Sequence, residues 1–121
     1  SAKPNPGMAH YAMSKVAQVS IARSLAELTK GTRVTVNSAL VAPTWSEGVE
    51  AFLKKIAPGL GKTVDEMRTA YFETTGASSL LQRWATPEEI ADQIAFLCSE
   101  RASAINGAAQ RVDGGIVRSL F

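Results

Sequence analysis

Gly31-Thr32-Arg33-Val34-Thr35-Val36-Asn37-Ser38-Ala39-Leu40 decides the fold class. Val and Thr crowd a short segment that runs on into apolar residues, the composition of a strand buried on both faces of a parallel sheet, so a strand is predicted over 33–40. Upstream, Met13, Val16, Ala17, Ile21, Leu25 and Leu28 recur at helical spacing within 8–30, and Gly31 follows as the C-terminal stop. Helix, turn and strand in that order form the second half of a βαβ crossover, whose first strand is then expected before Ser1. Pro4, Pro6 and Gly7 predict residues 1–7 to be irregular.

Downstream, residues 41–48 form a loop at the C-terminal edge of the strand, where open α/β sheets bind ligands. A short helix over 47–56 is ended by Ala57-Pro58-Gly59, and Thr63-Val64-Asp65-Glu66 is a capping-box signature that opens another helix to about residue 74. Thr86-Pro87-Glu88-Glu89 joins a Thr cap, a Pro in first helical position and acids in the first turn, predicting a helix to residue 99. A final strand at 108–112, an Asp113-Gly114-Gly115 turn and an apolar tail over 116–121 complete the chain, and such tails dock against something. The two strands should be adjacent and parallel, with the 8–30 and 86–99 helices against the sheet.

A chain of 121 residues is about one domain's worth, and its net charge is only +2, with Lys and Arg scattered among Asp and Glu. No nucleic-acid partner is expected, and no membrane partner, since no run approaches the roughly 18 apolar residues of a membrane span. One histidine and one cysteine supply neither a catalytic triad nor a metal-ligand set, so no metal site is expected. His10 is read as an orienting or solvent-facing residue, with donation into the pocket beside Tyr11 as the alternative. Cys98 falls with Ile90, Ile94 and Leu97 on one helical face, which predicts a buried apolar thiol in a reducing, cytoplasmic setting. The opening Ser1 and the turn-like run after it suggest a piece of a longer protein.

Tyr11 and Lys15 lie four apart near the start of the first helix, so they share a face about 6 Å apart along the axis. A phenol titrates near 10 in water, too high for a base at neutral pH. An adjacent ammonium and the positive end of a helix favour the phenolate, which would make the pair a proton-transfer device. The alternative is an ordinary solvated pair on a helix surface.

Tyr11-Ala12-Met13-Ser14-Lys15 on a helix, Val36-Asn37-Ser38 in a strand, Pro43-Thr44-Trp45-Ser46-Glu47-Gly48, Thr86-Pro87-Glu88-Glu89-Ile90-Ala91, Asn106-Gly107 and Val112-Asp113-Gly114-Gly115 occur in one order along nearly the whole chain. The series resembles the C-terminal half of a short-chain dehydrogenase/reductase. The resemblance implies an α/β fold in which residues 1–121 are the C-terminal part of a single Rossmann-like domain, a doubly wound parallel sheet in a three-layer αβα stack. The cofactor-binding N-terminal half, with its glycine-rich phosphate loop and catalytic serine, is then expected upstream. Ser1 is read as a neighbour of that serine.

The resemblance also implies NAD or NADP as cofactor and a small-molecule alcohol or carbonyl as substrate. Tyr11 would be the general acid/base, and Lys15 would lower its pKa and hydrogen-bond the nicotinamide ribose. Pro43, Thr44 and Ser46 would contact the nicotinamide amide and phosphate. Residues 47–80 would be a substrate lid, with a surface helical hairpin as the alternative. A homo-oligomer, dimer or tetramer, would form through the Ala17, Ser20 and Ser24 face and the tail, with plain intrachain packing as the alternative for that face. Val41-Ala42 stands where the family carries Pro-Gly, a difference that matters at a loop approached closely by a ligand. The competing reading is an inactive, oligomerising fragment of the same fold without cofactor binding.

Overall fold

A computed structural model describes residues 6–120 and shows helices with a two-stranded parallel sheet. The helices are α1 (Ala9–Glu27), α2 (Glu47–Ile56), α3 (Val64–Glu73) and α4 (Pro87–Leu97), and the strands are β1 (Ser38–Val41) and β2 (Ala109–Val112). Short 3₁₀ turns occur at Pro6–Met8, Pro58–Leu60 and Glu100–Ala102. The first corrects the irregular segment expected over 1–7; residues 1–5, with the Ser1 reading, and Phe121 of the tail lie outside the described residues. Donors advance from Ser38 to Ala42 as acceptors advance from Ala108 to Val112, at 2.9 and 2.8 Å, which is parallel pairing.

Internal contacts divide the chain into two compact units, one holding residues up to Leu40 with Asp92–Arg111, the other Val41–Ala91 with the segment from Val112 onward. In the first unit, Ala12, Lys15, Val19, Ala22, Ala26 and Thr29 are the less exposed positions of α1 and its end, spaced three and four apart along one face. Ala26 is 6% exposed. The apolar positions that gave the helical spacing, Met13 to Leu28, point outward, with Met13 at 70% and Leu28 at 80% exposure. At Ala26 a small side chain suits this face because the backbone comes close there. Gly107, at φ +70°, sits where an added Cβ would lie 3.4 Å from Ala26 Cβ and 3.2 Å from Arg23 Nη1.

β1 starts at Ser38, not at residue 33, because side-chain amides replace ladder bonds ahead of it. Val36 N donates to Asn106 Oδ1 (2.9 Å), Asn37 Nδ2 to Ile105 O (2.8 Å), and Ala108 N to Asn37 Oδ1 (3.1 Å). Gly107 N closes the set on Val36 O at 2.9 Å. Cys98 is exposed, correcting the buried thiol expected from its helical face. Ile94, Leu97 and Cys98 open onto a groove of about 660 Å³ whose other side carries Thr35, Asn37 and Ala39, the alternate residues of one strand face.

In the second unit the helix ends follow the sequence closely. Ser46 Oγ accepts from Val49 N at 3.3 Å to cap α2. Thr63 and Glu66 form the reciprocal capping box of α3. Thr86 Oγ1 accepts from Glu89 N (3.3 Å) while the Glu89 carboxylate accepts from Thr86 N (2.9 Å), the same box at α4. Arg83 closes a fork on that carboxylate at 2.9 and 2.6 Å, and these bonds, with that from Thr86 N, hold the Glu89 pKa down at about 2.

The Asp113-Gly114-Gly115 turn forms as expected, with both glycines at positive φ. Gly114 O accepts from Leu80 N, Leu81 N and Ser79 Oγ. Asp113 accepts from Gly115 N and Val117 N. The apolar tail ends, within the described residues, on Leu120 at 87% exposure.

Candidate functional site

Tyr11 and Lys15 occupy one face of α1 in the first unit, as their spacing requires. Lys15 Nζ stands 5.5 Å from the centroid of the Tyr11 ring. Tyr11 is 47% exposed, and Lys15 lies on the half-buried side of the helix. Lys15 Nζ donates to Gln18 Oε1 at 3.3 Å. An ammonium has three N–H donors, so two stay available to a ligand. Ser14 Oγ donates back to Tyr11 O, and His10 is exposed.

Pro43, Thr44 and Ser46 belong to the second unit, in the loop after β1. Their backbone is pinned by a parallel bridge between Thr44 and Ala85, with Ala85 N donating to Pro43 O and Trp45 N to Ala85 O, both at 2.9 Å. Thr44 Oγ1 donates to Ala42 O at 2.9 Å and therefore keeps its lone pairs for an amide N–H. Ser46 Oγ is used as an acceptor by Val49 N and keeps its proton for an anionic oxygen. One acceptor and one donor two residues apart suit a carboxamide and a phosphate, so the loop's chemistry fits a nicotinamide dinucleotide. Ala42, at the position of the family's glycine, is 7% exposed and donates its N–H to Val112 O, an ordinary strand role that a Cβ does not disturb.

A feature not foreseen from the sequence lies beside this loop. Trp45 meets Trp84 edge to face, with centroids 5.6 Å apart, and Tyr71 and Phe72 of α3 pack on Trp84 at 4.6 and 5.7 Å. The Arg68 guanidinium lies 4.4 Å from the Trp45 ring centroid. Trp84 Nε1 donates to Arg68 O at 3.0 Å. Burial pushes the Tyr71 phenol pKa up. The available signal was Arg68, Tyr71 and Phe72 at i, i+3 and i+4, one helical face carrying two rings and a cation.

A family model described as Enoyl-(Acyl carrier protein) reductase matches residues 1–117. The chain is 52% identical over 118 residues to an uncharacterized oxidoreductase, YvrD, of Bacillus subtilis (strain 168), covering 98% of this chain and 45% of the relative. Among solved structures, a short chain dehydrogenase family protein from Francisella tularensis superposes with a TM-score of 0.85 at 25% identity, over 96% of this chain and 46% of that one. L-sorbose reductase from Gluconobacter frateurii, complexed with NADPH and L-sorbose, superposes with a TM-score of 0.81 at 26% identity, over 91% and 41%. The chain thus spans about half the length of the proteins it matches, in the Rossmann-like α/β fold they share. With nearly all of its residues matched, the chain belongs to the short-chain dehydrogenase/reductase family.

Proposed function

We propose that this chain contributes the proton-transfer pair and the nicotinamide loop of an NAD(P)-dependent oxidoreductase acting on an alcohol or carbonyl. The observation that carries the reading is the Tyr11–Lys15 pair, ring and ammonium 5.5 Å apart on one turn of α1. Bound cofactor supplies or accepts the hydride. In the reducing direction Tyr11 Oη gives its proton to the substrate oxygen as that oxygen gains negative charge; in the oxidising direction it takes the proton from the hydroxyl. Lys15, charged and beside the ring, stabilises the phenolate left behind and offers its two remaining N–H donors to the ribose. Thr44 accepts from the carboxamide and Ser46 donates to the phosphate. Residues 47–80, two capped helices between that loop and Trp84, are the substrate lid.

Tyr11→Phe keeps the ring and deletes the proton. In the full-length protein it is expected to lower turnover roughly 10²-fold or more while NAD(P)H affinity changes little. Unchanged turnover in this variant would remove Tyr11 from the reaction.

The second reading, an oligomerising fold without cofactor binding, is favoured by the thin interior: among the described residues the buried apolar side chains are all alanines. Titrating NADPH and NADH into the full-length protein separates the two, since saturable binding of either supports the enzyme and binding of neither supports the scaffold.

A further inference from the structure

We infer that Arg68 is a specificity-determining residue that takes an oxyanion, a carboxylate in the simplest case, carried by the carbonyl substrate. The inference deepens, and rests on, the oxidoreductase reading. Four other cations of the described residues are partnered: Arg23 with Glu27, Arg33 with Glu100, Lys54 with Glu50 and Arg83 with Glu89. Arg68 has no carboxylate within 4.0 Å among the described residues, although α3 is rich in them. The acids Asp65, Glu66 and Glu73 line one patch of α3 with Thr69 and Ala70. Arg68, Tyr71 and Phe72 occupy the other side, against Trp45 and Trp84.

The manner in which Arg68 is held is that of a binding residue. Its guanidinium carbon lies over the Trp45 ring, 4.4 Å from the centroid, and its own backbone carbonyl accepts from Trp84 Nε1. A guanidinium engaged by an aromatic ring and bonded to no carboxylate keeps N–H donors for the fork that matches one. The side chain is exposed, so a small anion can reach it. Its ring partner Trp45 sits between Thr44 and Ser46, the two residues assigned to the nicotinamide end of the cofactor. A substrate whose carbonyl is presented at that end therefore has a fixed cation within reach of any acidic group it carries.

The test uses levulinate, a keto acid, against methyl levulinate, the neutral ester with the same ketone. Each is titrated calorimetrically into the full-length protein, with and without NADP⁺. Levulinate is expected to bind about tenfold or more tightly than the ester, the worth of one charge-assisted contact. Arg68→Gln should bring the two within twofold, and Arg68→Lys should retain part of the preference. Equal binding of acid and ester to the wild type, no binding of either, or a preference that survives Arg68→Gln overturns the inference. Weakened NADPH binding in Arg68→Gln with levulinate unaffected also overturns it, because the oxyanion would then be the cofactor's phosphate. Binding needs no turnover: a charge preference without NADPH oxidation leaves the subsite standing and removes the oxidoreductase reading, whereas NADPH oxidation indifferent to charge does the reverse.

Discussion

Gln82 holds φ at +51°, the left-handed region that a side chain enters at a cost of about 1–2 kcal/mol. It stays there because its Nε2 donates to Ala77 O and Ser79 O and its own N–H donates to Ser79 Oγ. Gln82→Ala keeps the strain and loses the side-chain bonds, so denaturant unfolding should show a loss of about 1–2 kcal/mol. Gln82→Gly loses the same bonds and relieves the strain, and is expected to fall within about 1 kcal/mol of the wild type. Lys15→Ala should damage both turnover and NAD(P)H affinity, unlike Tyr11→Phe, because the proposal gives Lys15 both phenol and ribose to serve. Equal and small effects from the two substitutions would refute that division of labour.

Helix termini give the pH response. Glu89 has a folded pKa of about 2 against an ordinary 4.5, through its bonds to Arg83 first and Thr86 second. A carboxylate lowered in the folded state stabilises above its unfolded pKa, and that contribution is lost as pH falls from about 4.5 toward 2. Glu66 is lowered too, chiefly by the backbone N–H of Thr63, and acts in the same direction at α3. Helicity followed by circular dichroism should therefore fall in that window, and Glu89→Gln should flatten the α4 part of the change; an identical acid curve for the variant would contradict it.

These termini were also the most legible part of the sequence. The span of α2 was read as observed, with Ala57-Pro58-Gly59 marking its end by local chemistry alone, whereas the Ser46 cap at its start was not read from the sequence. α4 stopped at Leu97, two residues short of the expected end, where Ser99 Oγ donates back to Phe96 O ahead of a 3₁₀ turn. The start of β1 was not legible, because Asn37 and Asn106 replace ladder bonds from nearly 70 positions apart. The Arg68–Trp45–Trp84 cluster escaped notice for the same reason, its members being neighbours only after folding. Tyr11, Lys15, Pro43, Thr44 and Ser46 were proposed from motif order, which records the fold without showing its contacts.

For the molecule as a unit of association, the outward face of α1 matters most. Val16, Ile21, Leu25 and Leu28 are each about half exposed or more, on a helix whose less exposed face is that of Ala12, Val19, Ala22 and Ala26. Apolar area of this kind recruits a partner, and we expect a second copy of the protein, as the small Ala17, Ser20 and Ser24 would permit close helix approach. Light scattering on a dilution series should show an oligomer, and Ile21→Asp should shift it to the monomer mass while helicity persists. A wild type that remains monodisperse and monomeric at all concentrations would refute the expectation.

The amides that tie Asn106 and Gly107 to Val36 also bear on how the protein ages. In an Asn-Gly sequence the glycine nitrogen can attack the preceding side-chain amide, expel ammonia and leave an aspartate or isoaspartate. Here that nitrogen is committed to Val36 O, and the Asn106 amide is held between Val36 N and Thr29 Oγ1. Each opening of this unit frees both reactants, and closure withdraws them. Slow loss of ammonia at Asn106 would thus record, in a covalent and readable form, the cumulative time this part of the chain has spent open.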